Sequence, residues 1–400
     1  MKLLQTYLKG DRVIWILVLI VSVYSLLSVY STAGQLAFRY KGGNTEYYLI
    51  QRFVMLSLGF GIMYLAHKIK YTYFSKMAVI GMIITVPLLL LTLIMGASLN
   101  SATRWLMIPG LGISFQTSDL AKLILITYVA RMLSKNQNHI KDLKSGFLPI
   151  AIPVVIVCAL ILPANFSTAA MLFLICLLLM FIGRVSIKHI GALVGIALAG
   201  FGFLILLSFA APKLLPRLET WRSRIETFIT SNQSESSSNT ELTKEKYQSD
   251  LAKMAIAQGG LLGTGPANNL NKYRLPQGYS DFIYAMIIGE YGSILGGLVI
   301  LLAYLILLYR VVRLATKSEF AFATFLSVGL CLSMVVQAFI NMSVAVGIFP
   351  VTGQPLPMIS MGGTSTLFTG LTLGMILSVS RSIQTEKIEL SSHGAEEGHH

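Results

Sequence analysis

Residues 280–309 run Ser280-Asp281-Phe282 and then IYAMIIGEYGSILGGLVILLAYLILLY to Tyr309. After Asp281 a single charged side chain, Glu290, interrupts an apolar run longer than the roughly 20 residues a helix needs to cross a bilayer. This stretch is a membrane helix, and it places Asp281 at its mouth beside the water boundary. A carboxylate at a membrane edge is costly unless it has a partner or a task, which makes Asp281 the first functional candidate. Upstream, residues 212–281 are polar and basic, a loop of about seventy residues feeding straight into the helix.

Outward from that junction the chain keeps the same character. Apolar residues make up 54% of its 400 residues and charged ones 12%, with a mean hydropathy of +0.71. Those values belong to an all-α integral membrane protein. Ten candidate spans can be read, roughly 13–32, 49–67, 77–96, 118–134, 147–163, 168–184, 191–211, 282–309, 320–345 and 358–380. The chain is expected to be one polytopic membrane domain, 1–384, with the large extracytoplasmic loop 212–281 between helices seven and eight. A short cytoplasmic tail, 385–400, follows.

Ten spans put both termini on one side, and the basic residues choose it. Short loops assigned inside carry Lys68, Lys70, Lys76, Lys135, Lys141, Lys144, Arg184, Lys188, Arg310, Arg313 and Lys317. Those assigned outside carry Arg39, Lys41 and Arg104, with Arg52 near a boundary. This asymmetry predicts cytoplasmic termini, and loops longer than about 60 residues escape the rule. The first apolar run exceeds the 7–15 residues of a signal-peptide core and no small-residue cleavage site follows, so it reads as a retained helix. Cys158, Cys176 and Cys331 fall inside apolar spans, which predicts neither disulfide nor metal ligation.

The net charge of +14 follows in part from the inside-positive bias and from attraction to anionic membrane lipids. That bias does not explain Lys213, Arg217, Arg222, Arg224, Lys244, Lys246, Lys253, Lys272 and Arg274 in the outer loop. A positive field there suits an anionic, phosphorylated lipid substrate and not nucleic acid. Residues 215–230 carry Leu215, Leu218, Trp221, Ile225 and Phe228 at helical spacing, expected as an amphipathic helix on the outer leaflet. Residues 231–242 are low in complexity, and a second short helix is expected around 245–258. The run Gly259-Gly260-Leu261-Leu262-Gly263-Thr264-Gly265-Pro266 lacks the Lys-Ser/Thr ending of a nucleotide loop. It reads as a tight turn, or as backbone N–H groups lining a substrate groove.

Asp119 and Lys122 open the fourth span three residues apart, on nearly one helix face. They read as an internal ion pair, or as a lysine turned into a polar cavity shared with Asp281, which Arg104 would help to close. Glu290 lies nine residues beyond Asp281, on the opposite side of a regular helix, and reads as a structural partner for a neighbouring helix. From Asn341 to Ser365 come Gly347, Pro350, Thr352, Gly353, Gln354, Pro355, Pro357, Ser360, Gly362, Gly363, Thr364 and Ser365. Backbone broken this often survives at membrane depth only when buried or lining a cavity. The N-x-S/T triplets at Asn165, Asn232 and Asn341 are chance matches.

The Asn341–Ser365 stretch resembles the C-terminal signature of the SEDS (shape, elongation, division, sporulation) family, whose members include FtsW and RodA. The resemblance extends along nearly the whole chain through Arg104-Trp105, Ser118-Asp119-Leu120-Ala121-Lys122, Gly259-Gly260 to Gly265, Leu275-Pro276 and Ser280-Asp281-Phe282. Gly10-Asp11-Arg12 and the overall wording are closer to the division branch than to the elongation branch. Two departures stand out. Asp119 falls where the family commonly has Glu, and Pro163-Ala164-Asn165-Phe166-Ser167-Thr168 loses a carboxylate from the usual Gln-Pro-Asp-Leu-Gly-Thr pattern.

The resemblance implies a peptidoglycan glycosyltransferase of the bacterial cytoplasmic membrane that polymerises lipid II on its outer face. It implies Asp281 as the catalytic residue and a septal role in cell division. Substrate-binding candidates are Arg104, Asp119, Lys122, Lys272, Ser360, Gly362, Gly363, Thr364 and Ser365. Glycosyltransfer needs one base, and a diphosphate leaves without an acid. No cofactor is required by the sequence; Lys122, Arg104 or a divalent cation (Mg or Mn) would neutralise the diphosphate. Implied partners are a class B penicillin-binding transpeptidase and other division proteins. The competing readings are an elongation polymerase, a lipid II flippase or a scaffold for division proteins.

Overall fold

The computed structural model describes residues 9–40, 42–95, 97–99, 102–107, 114–210, 244–269 and 275–397. Helix α1, Arg12–Thr32, starts where the Asp11 carboxylate accepts from the Val13 N–H at 2.9 Å, an N-cap that meets an otherwise orphaned donor. A short α2, Gly34–Tyr40, leads to α3, Thr45–Lys68, capped in the same way by Asn44 on the Tyr47 N–H. Helix α4, Tyr71–Met95, follows and shows Ile80, Ile83 and Ile94 on its outside, as a lipid-facing helix must.

Between α4 and the next helix the chain departs from the all-helical expectation. Ala97–Leu99 (β1), Ala102–Met107 (β2) and Ser114–Gln116 (β3) form a small antiparallel sheet, in which Trp105 pairs with Ala97 on one side and Gln116 on the other. Then come α5, Thr117–Lys135; α6, Leu148–Ile161, entered through one wide turn at Leu143–Phe147; α7, Phe166–Ile182; and α8, Ile187–Ala210. Asn165, where the family pattern has a carboxylate, caps α7 by accepting from the Thr168 N–H at 3.3 Å.

Within the long stretch 212–281, α9 spans Lys244–Gly259, close to the expected 245–258. The amphipathic helix expected at 215–230 and the low-complexity stretch 231–242 lie outside the described residues. The eighth span is not one helix. Helix α10, Ile283–Gly292, gives way to a wide turn at Ser293–Leu298 before α11, Val299–Ala315. Helix α12 is Ala321–Ala345, and α13 is Thr364–Glu397. The tenth span was expected from 358, but its first six residues belong to the broken segment before α13.

Among the described residues, seven stretches are long and apolar enough to cross a membrane, counting Leu143–Ile161 and Ile283–Ala315 each with its wide turn. The apolar stretches Phe166–Ile182 and Ile187–Phe203 are shorter, and α5 carries Asp119, Lys122 and Arg131 within its length. Helix α13 packs tightly on α3 through small residues, because Gly370 and Gly374 lie one turn apart. A Cβ on Gly374 would come within 2.5 Å of the Met63 carbonyl oxygen. Small-xxx-small spacing of this kind lets membrane helices approach backbone to backbone. The segment just before α1 meets the middle of α13, where the Gly10 N–H donates to the Gln384 side chain at 3.0 Å.

The glycine run at 259–265 has a definite place. It clasps the break in the eighth span. The N–H groups of Thr264 and Gly265 donate to the carbonyls of Gly289 and Glu290 at 3.1 and 3.0 Å, and those of Ser293 and Ile294 donate to Gly260 and Leu261. A Cβ at Gly263 would come 2.6 Å from the Glu290 carbonyl carbon, and one at Gly292 would come 2.6 Å from the Gly263 nitrogen. Both glycines also hold positive φ, +86° and +79°, which favours glycine. These donors are engaged with α10, so they do not line a groove.

Candidate functional site

Gln337 and Asn341 sit one turn apart on α12 and are buried in an otherwise apolar helix. Buried amides need partners, and theirs define the site. The Gln337 amide donates to the Pro355 carbonyl at 2.8 Å, while its oxygen accepts from the Lys122 ammonium at 3.0 Å. The Asn341 amide donates to the carbonyls of both Gln354 and Asp281, each at 2.8 Å. Two side chains on one helix face thus join α5, the broken segment and the mouth of α10.

The segment 346–363 has no regular structure from 350 to 356 and turns at Gly347, Gly353 and Met358 with positive φ. Its carbonyls are met by side chains from four helices, as buried irregular backbone requires. Besides Gln337 and Asn341, Tyr304 on α11 donates to Pro357. Ser25 on α1 donates to Ile359 at 2.8 Å. Arg52, on α3, is 2% exposed. Its guanidinium donates to Ser25 Oγ at 2.7 Å, to Thr366 Oγ1 at 2.8 Å, and to the carbonyls of Met358, Ile359 and Gly362. The described partners of this cation are all neutral oxygens. Carbonyl solvation is one of the ways a membrane tolerates a charge.

Asp281 lies just ahead of α10, in a turn set by Gln277 at φ +60°. Ser280 Oγ donates to its carboxylate at 3.1 Å. A Cβ on Gly353 would stand 3.7 Å from the other carboxylate oxygen, so the broken segment passes directly over it. Ser360 fastens the same contact from behind: its hydroxyl donates to the Ser280 carbonyl and accepts from the Leu356 N–H, both at 2.7 Å. The Met361 N–H donates to the Tyr279 carbonyl at 3.0 Å. The carboxylate is half-buried and its backbone is gripped on both sides.

Lys122 and Asp119 form the internal ion pair, 2.9 Å apart and largely buried. They share a cleft with Ser365, Phe368, Thr369 and Pro357, and Asp281 is not among its lining residues. Gln337 and Asn341 link Lys122 to the broken segment and to the Asp281 main chain. Gly362 presents its carbonyl to Arg52, Thr364 begins α13, and Gly363 has open space where a Cβ would stand. Arg104 lies in β2, with its side chain outside the described residues, and Lys272 lies outside them altogether. Glu290 receives a hydrogen bond from Ser31 on α1, the structural role expected of it. Among the described residues no group of three or more His, Cys, Asp or Glu is placed to hold a metal ion.

Sequence reasoning missed Arg52 and Gln337. A signal for Arg52 was present: Asn44-Thr45-Glu46 is a helix start, which places Arg52 two turns inside the span and not at its boundary. Gln337 offered only a lone amide in an apolar run.

Known proteins share this architecture. The family described as Cell cycle protein, grouping FtsW, RodA and SpoVE, matches residues 11–385. A Geobacter sulfurreducens protein named "Probable peptidoglycan glycosyltransferase FtsW" is 30% identical over 381 residues, covering 94% of this chain and 96% of that protein. The Bacillus subtilis "Stage V sporulation protein E" is 29% identical, covering 93% and 97%. Thermus thermophilus RodA superposes with a TM-score of 0.66 at 21% identity, covering 94% and 98%. A chain of a peptidoglycan synthase complex that coordinates polymerization and crosslinking superposes with a TM-score of 0.71 at 22% identity, covering 93% and 98%.

Proposed function

From the premise that this chain belongs to the FtsW, RodA and SpoVE family of cell cycle proteins, we propose that it is a membrane-embedded peptidoglycan glycosyltransferase that polymerises lipid II. The observation that carries this reading is the Asp281 carboxylate, half-buried at the mouth of a broken span and held both at its main-chain carbonyl by Asn341 and at its carboxylate by Ser280. A base must be held in place. Here Asn341 takes the main-chain carbonyl, Ser280 donates to the carboxylate, and Gly353 passes beside its other oxygen.

In the reaction, Asp281 removes the proton from the 4-hydroxyl of the acceptor GlcNAc as that oxygen attacks the anomeric carbon of MurNAc. The bond to the lipid diphosphate breaks with inversion, giving a β-1,4 link. The departing diphosphate needs charge neutralisation, not a proton. Lys122, Arg104, Lys272 or a divalent cation supplies it, and chelation during the assay separates the cation from the side chains.

The naming of the relatives supports a septal role in cell division, with elongation as the alternative. It also supports placement in the bacterial cytoplasmic membrane, and the basic residues of the short loops support both termini inside. The likeness to a synthase complex favours a class B penicillin-binding transpeptidase as partner, alongside other division proteins. The test is polymerisation of labelled lipid II by the purified protein with and without that partner. Asp281→Asn should lower turnover by roughly 10²–10⁴-fold while the protein stays folded. Wild-type turnover in that variant would remove the base, and wild-type protein that only moves lipid II across vesicles would make it a flippase.

A further inference from the structure

A recess of about 360 Å³ opens between the start of α1, the end of α11 and the middle of α13. It lies far from the site above. Asp281 precedes the start of α10 and Thr364 begins α13, whereas Arg310 lies at the end of α11 and Gln384 twenty residues along α13, about 30 Å of helix. The base of the recess is an ion pair. Arg310 donates Nε and Nη2 to one oxygen of Asp11, at 2.7 and 2.6 Å, and the other oxygen of Asp11 caps α1. The Gln384 side-chain oxygen is likewise occupied by the Gly10 N–H.

With those carboxylate and amide oxygens engaged, the recess is rich in free donors among the described residues. Arg313, in the last turn of α11, and Lys317, in the turn that follows that helix, both line the recess. Asp11 and Arg310 cancel, so among the described lining residues two positive charges, Arg313 and Lys317, remain. Those two charges favour an anion over a cation. Leu314 and Ile383 supply an apolar wall beside the charges, and the apolar run of α11 ends here at the membrane surface. The inside-positive bias accounts for cations on this face. It does not account for two of them converging on a recess where the described carboxylate, Asp11, is already neutralised.

We propose that this recess binds the phosphate headgroup of an anionic membrane lipid, with Arg313 and Lys317 on the phosphate and Leu314 and Ile383 against the first acyl carbons. The proposal is independent of the glycosyltransferase reading. Its test is native mass spectrometry of the full chain in detergent with phosphatidylglycerol added over a phosphatidylcholine background. Wild type should retain one phosphatidylglycerol in preference to phosphatidylcholine. The double variant Arg313→Gln/Lys317→Gln should bind it about 30-fold more weakly, the loss of two surface cations. Lys135→Gln/Lys141→Gln removes the same charge from exposed positions outside the recess and should bind as wild type.

Equal retention by the recess variant overturns the proposal, and so does equal loss in the control variant, which would mark a diffuse surface field. A third outcome, displacement by millimolar inorganic diphosphate with no discrimination between the two lipids, would reassign the recess to a free anion and overturn the lipid.

Discussion

Arg52→Met removes the cation that pins the broken segment, and the structure sets the size of the effect. Two short bonds to Ser25 and Thr366 and one to the Met358 carbonyl are charge-assisted, each contributing about 1.5–3 kcal/mol gross. The two 3.4 Å contacts to Ile359 and Gly362 add little. Against these stands the cost of keeping a guanidinium out of water, several kcal/mol, which methionine avoids. The net loss expected is roughly 2–4 kcal/mol, seen as a melting temperature lower by several degrees in detergent. Activity should fall further than stability, because the segment that Arg52 holds carries Gly353 over the Asp281 carboxylate. A displacement near 1 Å costs about 10²-fold in rate. Arg52→Lys offers a point charge in place of a fork and should land between wild type and Arg52→Met on both measures. Paired thermal melts and lipid II polymerisation assays give both numbers on one preparation. If Arg52→Met melts and polymerises as wild type does, the segment is held by something else and the reasoning fails.

The glycine clasp can be tested by contrast. Gly263→Ala meets both a positive φ and the backbone at Glu290 and should destabilise by roughly 2–5 kcal/mol. Gly61→Ala, which meets nothing within 4 Å, should stay within about 1 kcal/mol of wild type in the same thermal melt. For the ion pair, Lys122→Met should cost about 3–5 kcal/mol by stranding Asp119, and adding Asp119→Leu should recover most of it. A double-mutant cycle by thermal melting reads the coupling. The Michaelis constant for lipid II, raised in the double variant as well, separates a role on the diphosphate from a purely structural pair.

Apolar runs announced the helices because membrane helices need length and little else, and the starts at 12, 283 and 321 fall within a residue of the expected spans. Helix ends were harder. The tenth span looked apolar from 358, but Met358 to Gly363 is irregular. Its backbone partners, Arg52, Ser25 and Tyr304, come from helices some 50 to 330 residues away in sequence. The break at Gly292 was hidden for the same reason. Its stabilising donors lie in a glycine run about thirty residues earlier, which alone reads as a turn.

Asp281, Asn341 and the Pro/Gly-rich stretch stood out because each breaks a rule of membrane sequence locally, as a charge, an amide or a helix breaker. Gln337 and Arg52 broke the rule more quietly, and their meaning lies in what they reach. Asn341 illustrates the difference. The sequence shows an amide near the end of a helix, and only the fold shows that its two donors go to carbonyls sixty and thirteen residues apart from it. Those two bonds are why a carboxylate at the mouth of one helix and a loop closing the next arrive at the same place. The groups that orient Asp281 act on its main chain as well as, through Ser280, on its carboxylate. The polar residues worth weighing in such a sequence are those able to donate to a carbonyl at membrane depth as well as the charged ones.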